Sequence, residues 1–120
     1  MKKTIIAIYG TANVGKSMTL SRLGRQLQAN GAITTDDISR NDYRAVFNYL
    51  NRIVGVQTFG DINWMVEEGL NHFLNQSCDI IAIASKTYGG TTRTLNEFAR
   101  DNHYRLIAPV PKSWTVFRLV

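Results

Sequence analysis

The run Gly10-Thr-Ala-Asn-Val-Gly15-Lys16-Ser17 sets two glycines, a lysine and a serine in the spacing Gly-x-x-x-x-Gly-Lys-Ser. Each position suits the binding of a phosphate chain. Gly10 lets the chain leave a strand through a turn that a side chain would obstruct, and Gly15 lets backbone N–H groups approach phosphate oxygens. Residues from Asn13 to Ser17 present those donors at the first turn of a helix, where the dipole also favours an anion. Lys16 reaches the β- and γ-phosphates as a mobile point charge, and the Ser17 hydroxyl is a Mg²⁺ ligand. With glycine near 7% of residues, chance gives this pattern in roughly 0.4% of chains of this length. The alternative is an ordinary glycine turn with a surface lysine. The expected nucleotide-binding set is Gly10, Asn13, Val14, Gly15, Lys16, Ser17 and Met18, and the expected ligand is ATP or another nucleoside triphosphate with Mg²⁺.

Phosphoryl chemistry at such a site calls for a strand-end carboxylate that holds the water shell of the metal. The apolar run Ile80–Ala84 ends in Ser85 and supplies none, whereas Ile53–Val56 is followed by Gln57-Thr-Phe-Gly-Asp61. Asp61 is therefore the candidate metal carboxylate, and its place before an amphipathic helix also suits an N-cap. Asp36 and Asp37 read either as a base toward an acceptor hydroxyl or, more simply, as a solvated loop pair. Arg40 and Arg44 are candidates to hold an acceptor's phosphate. Lys86 to Arg93 (KTYGGTTR) enters a helix through two glycines, which makes a second anion site or a plain turn with a Thr cap. Lys86 or Arg93 is placed to neutralise charge on a transferred phosphoryl group. The catalytic candidates are thus Lys16, Asp61, Lys86 and Arg93, and the metal candidates Ser17 and Asp61. His72 and His103 lack metal-ligand spacing and read as structural.

The first 30 residues resemble the Walker A unit of P-loop NTPases. More of the chain is similar to small bacterial and phage P-loop proteins. In those, GxxNxGK[ST]xTL is followed by a short hairpin, a Gly-Asp pair and an apolar strand ending in a basic-Thr-x-Gly-Gly-Thr segment. The matching residues are Asn13 to Leu20, Gly60-Asp61 and Lys86-Thr-Tyr-Gly-Gly-Thr91. The resemblance implies a kinase-like nucleotide-binding core. The lid with paired arginines found in small nucleotide kinases has no evident counterpart.

The elements that must position these residues are legible from periodicity. Thr4 to Tyr9 is a continuous apolar run, as in a strand buried on both faces. A helix is expected from about Gly15 to Ala29, with Leu20, Leu23 and Leu27 on one face and Gly31 at its end. Ala32 to Asn41 reads as a polar loop. Tyr43, Ala45, Phe47 and Tyr49 alternate with Arg44, Val46 and Asn48, and Ile53–Val56 follows, so a β-hairpin turning at Asn51-Arg52 is expected. Ile62, Met65, Val66, Gly69, Leu70 and Phe73 mark an amphipathic helix. Ile80–Ala84 is a buried strand, Leu95, Phe98 and Ala99 belong to a third helix starting near Thr91, and Arg105–Val110 is a last strand. Trp114 to Val120 has the propensity for an edge strand. The expected fold is α/β, a three-layer open and mainly parallel sheet with helices on both faces and one hairpin, formed by a single domain over residues 1–120.

The chain has 120 residues, 44% hydrophobic and 19% charged, which excludes disorder and collagen. Its net charge of +5 favours anionic partners. Cys78 is the single cysteine, so neither an intrachain disulfide nor a cysteine zinc site is available. The opening MKKTIIAIYG has too short an apolar stretch for a signal peptide, and no segment is long enough to span a membrane, so a cytoplasmic protein is expected. The leading expectation is γ-phosphoryl transfer or hydrolysis, with a small phosphorylatable acceptor of unspecified identity. GTPases are disfavoured because neither Asn-Lys-x-Asp nor Asp-x-x-Gly occurs. The alternatives are a nucleotide- or nucleic-acid-binding module without turnover and an accessory subunit, in which case homo-oligomers are expected.

Overall fold

Apolar runs alternating with amphipathic segments give the order β1 (Thr4–Tyr9), α1 (Lys16–Ala29), β2 (Arg44–Tyr49), β3 (Arg52–Gln57), α2 (Asn63–Asn75), β4 (Ile80–Ser85), α3 (Gly90–Asp101) and β5 (Arg105–Ile107). The computed structural model describes residues 2–9, 15–86 and 90–108. The strands form one sheet in the order β2-β3-β4-β1-β5. β1 runs parallel to β4 and β5, β3 runs parallel to β4, and β2 alone is antiparallel, on the edge beside β3.

Residues of β1 alternate between two cores. Ile5 and Ala7 pack with Val66, Leu70 and Phe73 of α2 and Leu95 and Ala99 of α3. Ile8, with Ile6 partly buried, packs with Leu20 of α1 and with Ala45, Phe47, Ala82 and Ala84. The near-continuous apolar sequence of β1 and β4 follows from this, since each strand is covered on both sides. Two glycines permit close approaches within these cores. A Cβ on Gly24 would stand 2.0 Å from the Tyr43 hydroxyl, and one on Gly55 would stand 2.5 Å from the Phe73 ring.

The end of α1 is set by Gly31 at φ 101°. Its N–H bonds to Gln28 O and that of Ala32 to Leu27 O, the paired bonds of a Schellman cap. The hairpin turn falls one residue earlier than expected. Tyr49 pairs with Arg52, so Leu50 and Asn51 form the two-residue loop, both at positive φ. Register decides this, because Ala45 and Phe47 must both face α1.

The expected polar loop from Ala32 to Asn41 instead covers the sheet edge. Ile33 and Asn48 exchange backbone hydrogen bonds, the Thr34 hydroxyl donates to Val46 O, and Asp36 accepts the Val46 N–H at 2.8 Å. The outward backbone groups of Val46 and Asn48 are thereby satisfied. Asp36 is thus an exposed loop residue, as expected, and also a backbone acceptor. β5 is shorter than expected, ending at Ile107. Val110 and the edge strand expected at Trp114–Val120 lie outside the described residues.

Adjacent strands β4 and β1 send the chain in opposite directions. From β1 it leads to the hairpin on one side, and from β4 it crosses to β5 on the other. The crevice between their carboxyl ends is a topological switch point, where open α/β sheets bind ligands. No helix among the described residues is long and apolar enough to cross a membrane.

Candidate functional site

Tyr9 and Ser85 lie opposite each other at the carboxyl ends of β1 and β4. The segment that leaves β1, with Gly10, Asn13 and Val14, lies outside the described residues. Gly15 follows at φ 83°, a left-handed conformation that favours glycine. It is the N-cap of α1 but has no side chain to cap with, and the first turn holds no acidic residue. The first helical bond runs from Thr19 N–H to Gly15 O. The N–H groups of Ser17 and Met18 precede it, ahead of the helix's own bonding ladder. The positive end of α1 therefore meets the switch-point crevice.

Lys16 is only 6% exposed. Its Nζ donates to Asp61 Oδ1 at 2.7 Å and to the Ser85 carbonyl at 3.4 Å. A buried ammonium requires such partners, because desolvation of an unpaired cation is costly. Asp61 is brought there by a pinned turn between β3 and α2. The buried Gln57 amide donates to Phe59 O and Met65 O, while its carbonyl accepts from Arg44 Nε at 2.6 Å. Arg44 also pairs with Glu68 at 2.9 Å. Gly60 lies so close to β4 that a Cβ would stand 1.7 Å from Ala84 O. The N-cap of α2 is Ile62, which offers no side-chain bond, so Asp61 is not the cap that its position suggests. Its carboxylate is on Lys16 instead.

A second carboxylate joins the site. Asp42 Oδ1 accepts short from the Ser17 hydroxyl and at 3.1 Å from the Thr58 hydroxyl. Thr58 in turn accepts the Tyr43 N–H at 2.9 Å, which fixes Asp42 against the start of β2. The two carboxylates thus divide the site. Asp61 faces the lysine and Asp42 the serine.

These groups line a cleft of about 660 Å³. One wall is α1, from Gly15 to Met18 and on through Ser21, Arg22 and Arg25; the other comprises Asn41, Asp42, Thr58–Asp61 and Ala84. Comparison with protein-family models, curated proteins and solved structures gives no match.

The remaining sequence-derived candidates lie elsewhere. Lys86 follows Ser85, but its backbone is tied into the entry of α3, with its N–H on the Thr91 hydroxyl and its carbonyl accepting from Thr92. Arg93 is exposed on α3, and neither basic residue lines the cleft. Residues 87–89 between them lie outside the described residues. The Arg44 guanidinium is committed to Gln57 and Glu68. Arg40 contributes its carbonyl to Arg25. Asp37 accepts from the Ser39 hydroxyl and N–H, which holds its carboxyl below the usual range. His72 rests against Phe73.

Among the described residues no three His, Cys, Asp or Glu side chains gather into a metal cluster. The hard oxygen donors beside the start of α1 include the Ser17 hydroxyl and the Asp42 and Asp61 carboxylates. Such a set suits Mg²⁺, which takes one or two carboxylates and completes its shell with water and substrate phosphate. Asp42, Arg22 and Arg25 escape a reading of the sequence. Asp42 follows no apolar run, and the two arginines look like the ordinary polar face of an amphipathic helix.

Proposed function

We propose that this chain is a Mg²⁺-dependent P-loop protein of the three-layer kind, which binds a nucleoside triphosphate, ATP first, and transfers its γ-phosphoryl group. The observation that carries the reading is Lys16, a buried cation at the N-terminus of α1, facing the β4–β1 switch point. It belongs to the motif whose spacing suits a phosphate chain, and the cleft beyond it is of ligand size.

The roles follow from the contacts. The first-turn N–H groups of α1 and the Lys16 ammonium bind the β- and γ-phosphates, and Lys16 exchanges Asp61 for phosphate oxygen when they arrive. Ser17 and Asp42, already in contact, are the residues to hold Mg²⁺, which supplies neutralising charge to the phosphates. In this assignment the metal carboxylate is Asp42 rather than Asp61. Asp61, released from Lys16, takes the proton of the acceptor hydroxyl. The acceptor oxygen bonds to the γ-phosphorus as the bridging P–O bond breaks, and the diphosphate keeps that electron pair. With little covalent work for the protein, positioning and electrostatics carry the rate.

The test is equilibrium binding of Mg²⁺ and a non-hydrolysable ATP analogue, with phosphate release from ATP measured alongside. Lys16→Ala is expected to weaken binding by about a hundredfold while leaving the circular dichroism spectrum unchanged. Unchanged affinity in that variant would refute the phosphate-binding role. Asp42→Asn is expected to weaken the dependence on Mg²⁺, and Asp61→Asn to depress turnover while strengthening Mg²⁺-free binding. Binding without turnover in the presence of any acceptor would move the reading to a non-catalytic module.

A further inference from the structure

The far end of the cleft has no role in the function proposed above. Ser17, Ser21, Arg22 and Arg25 share one side of α1, and Arg25 stands eight residues, about 12 Å, beyond Ser17 along the helix axis. That distance takes it past the groups at the helix N-terminus that face the β- and γ-phosphates. Arg22 and Arg25 are like charges three residues apart, an arrangement that disfavours a helix. Neither has an acidic partner among the described residues, and Arg25 donates only to the Arg40 carbonyl, at 3.3 Å.

Between them and Ser17, the Ser21 hydroxyl is buried without a hydrogen-bond partner among the described residues. The residue is 3% exposed and lines the same cleft. Buried polar atoms are nearly always paired, so an orphan at the wall of a cleft points to a ligand atom. Asn41 adds an amide across from it.

We propose that Ser21, Arg22 and Arg25, with Asn41 opposite, form a second anion subsite that binds the phosphate monoester of the phosphoryl acceptor. The guanidinium fork matches phosphate oxygens pairwise, and two of them suit a dianion. The hydroxyl and the amide supply the neutral bonds. A small acceptor anchored there spans the cleft toward Asp42, Asp61 and the γ-phosphate. The substrate class is therefore a small phosphorylated alcohol or nucleotide rather than a neutral metabolite. The proposal rests on the phosphoryl-transfer reading for the identity of its ligand, but the subsite itself is tested separately.

Phenyl phosphate is the probe, titrated calorimetrically into full-length protein saturated with Mg²⁺ and the non-hydrolysable ATP analogue. One equivalent is expected to bind. The double variant Arg22→Ala/Arg25→Ala is expected to lose this binding by more than about tenfold, while analogue affinity stays within about twofold. Ser21→Ala is expected to weaken phenyl phosphate several-fold, yet to melt at or above the wild-type temperature without ligand, because it removes an unpaired buried hydroxyl. Lys16→Ala is expected to lose the analogue and keep phenyl phosphate.

Absence of phenyl phosphate binding, or binding indifferent to both arginines, overturns the subsite. Loss of analogue affinity in the arginine variant assigns that end of the cleft to the nucleotide and also overturns it. So does oligonucleotide binding that depends on these arginines while phenyl phosphate does not bind. Failure of the analogue to bind wild type strikes the function proposed above instead. The same titration of ligand-free protein then decides the subsite by its arginine dependence.

Discussion

Lys16 and Asp61 form an unequal pair, since the lysine side chain is 7% exposed and the aspartate 49%. Solvent at the aspartate screens the attraction, so the pair is worth about 1 kcal/mol. The pair also holds the ammonium at the crevice between β4 and β1, 3.4 Å from the Ser85 carbonyl. The pair depends on Gly60, whose missing Cβ lets the turn rest on β4. Gly60→Ala is expected to destabilise by about 2 kcal/mol or more, because the obstacle is backbone rather than a side chain that can swing away. Nucleotide affinity is expected to fall with it, read by urea denaturation and by titration of the ATP analogue. Gly15→Ala forms the contrast. Its Cβ would meet nothing within 4 Å among the described residues, so there the positive φ is what resists, at about 1 kcal/mol.

At the scale of elements, two junctions on the α2–α3 side share one hydrogen bond. Cys78 links α2 to β4, Tyr104 links α3 to β5, and the Tyr104 hydroxyl donates to Cys78 O at 2.7 Å. Burial pushes the Cys78 thiol from 9.0 up to about 12, and Asp79 adds to it. Burial likewise pushes the Tyr104 phenol from 10.0 up to about 12. A raised pKa means that the unfolded chain gives up its proton first. These groups therefore stabilise fully below about pH 9 and progressively less as pH rises toward 12. Urea melts across this range are expected to show stability falling from about pH 9, with Cys78→Ala delaying the onset toward pH 10. The native thiol is expected to resist modification at neutral pH, since it is buried and protonated.

Across the whole molecule, the cleft draws on α1, the segment before β2, the β3–α2 turn and β4. A ligand that fills it bridges α1 to the carboxyl ends of β3 and β4 and stabilises the folded state by linkage. At a hundredfold excess over Kd the gain is about 2.7 kcal/mol, which corresponds to roughly 10 °C in Tm. Scanning calorimetry with Mg²⁺ and the ATP analogue is expected to show this as a single shifted transition. A net charge of +5 adds a long-range attraction for anions, so the association rate is expected to fall as salt is raised.

The order of strands and helices was legible in the sequence because it depends on local periodicity. Ile5 to Ile8 and Ile80 to Ala84 read as doubly covered strands from their apolar runs alone, and α2 from its spacing of Met65, Val66, Leu70 and Phe73. The glycine-lysine-serine motif was legible for the same reason, its residues being neighbours along the chain. The partners of that motif were not. Ser17 meets Asp42 across 25 residues and Lys16 meets Asp61 across 45, and both contacts follow from strand order and register. Asp61 was visible as an acid near a strand end, but its choice of Lys16 over the helix it precedes depended on Gly60 approaching β4. The turn at Leu50-Asn51 likewise followed from which face of β2 meets α1. Local chemistry thus determined which residues could bind phosphate, and only the packing of the sheet decided which carboxylates and arginines stand beside them.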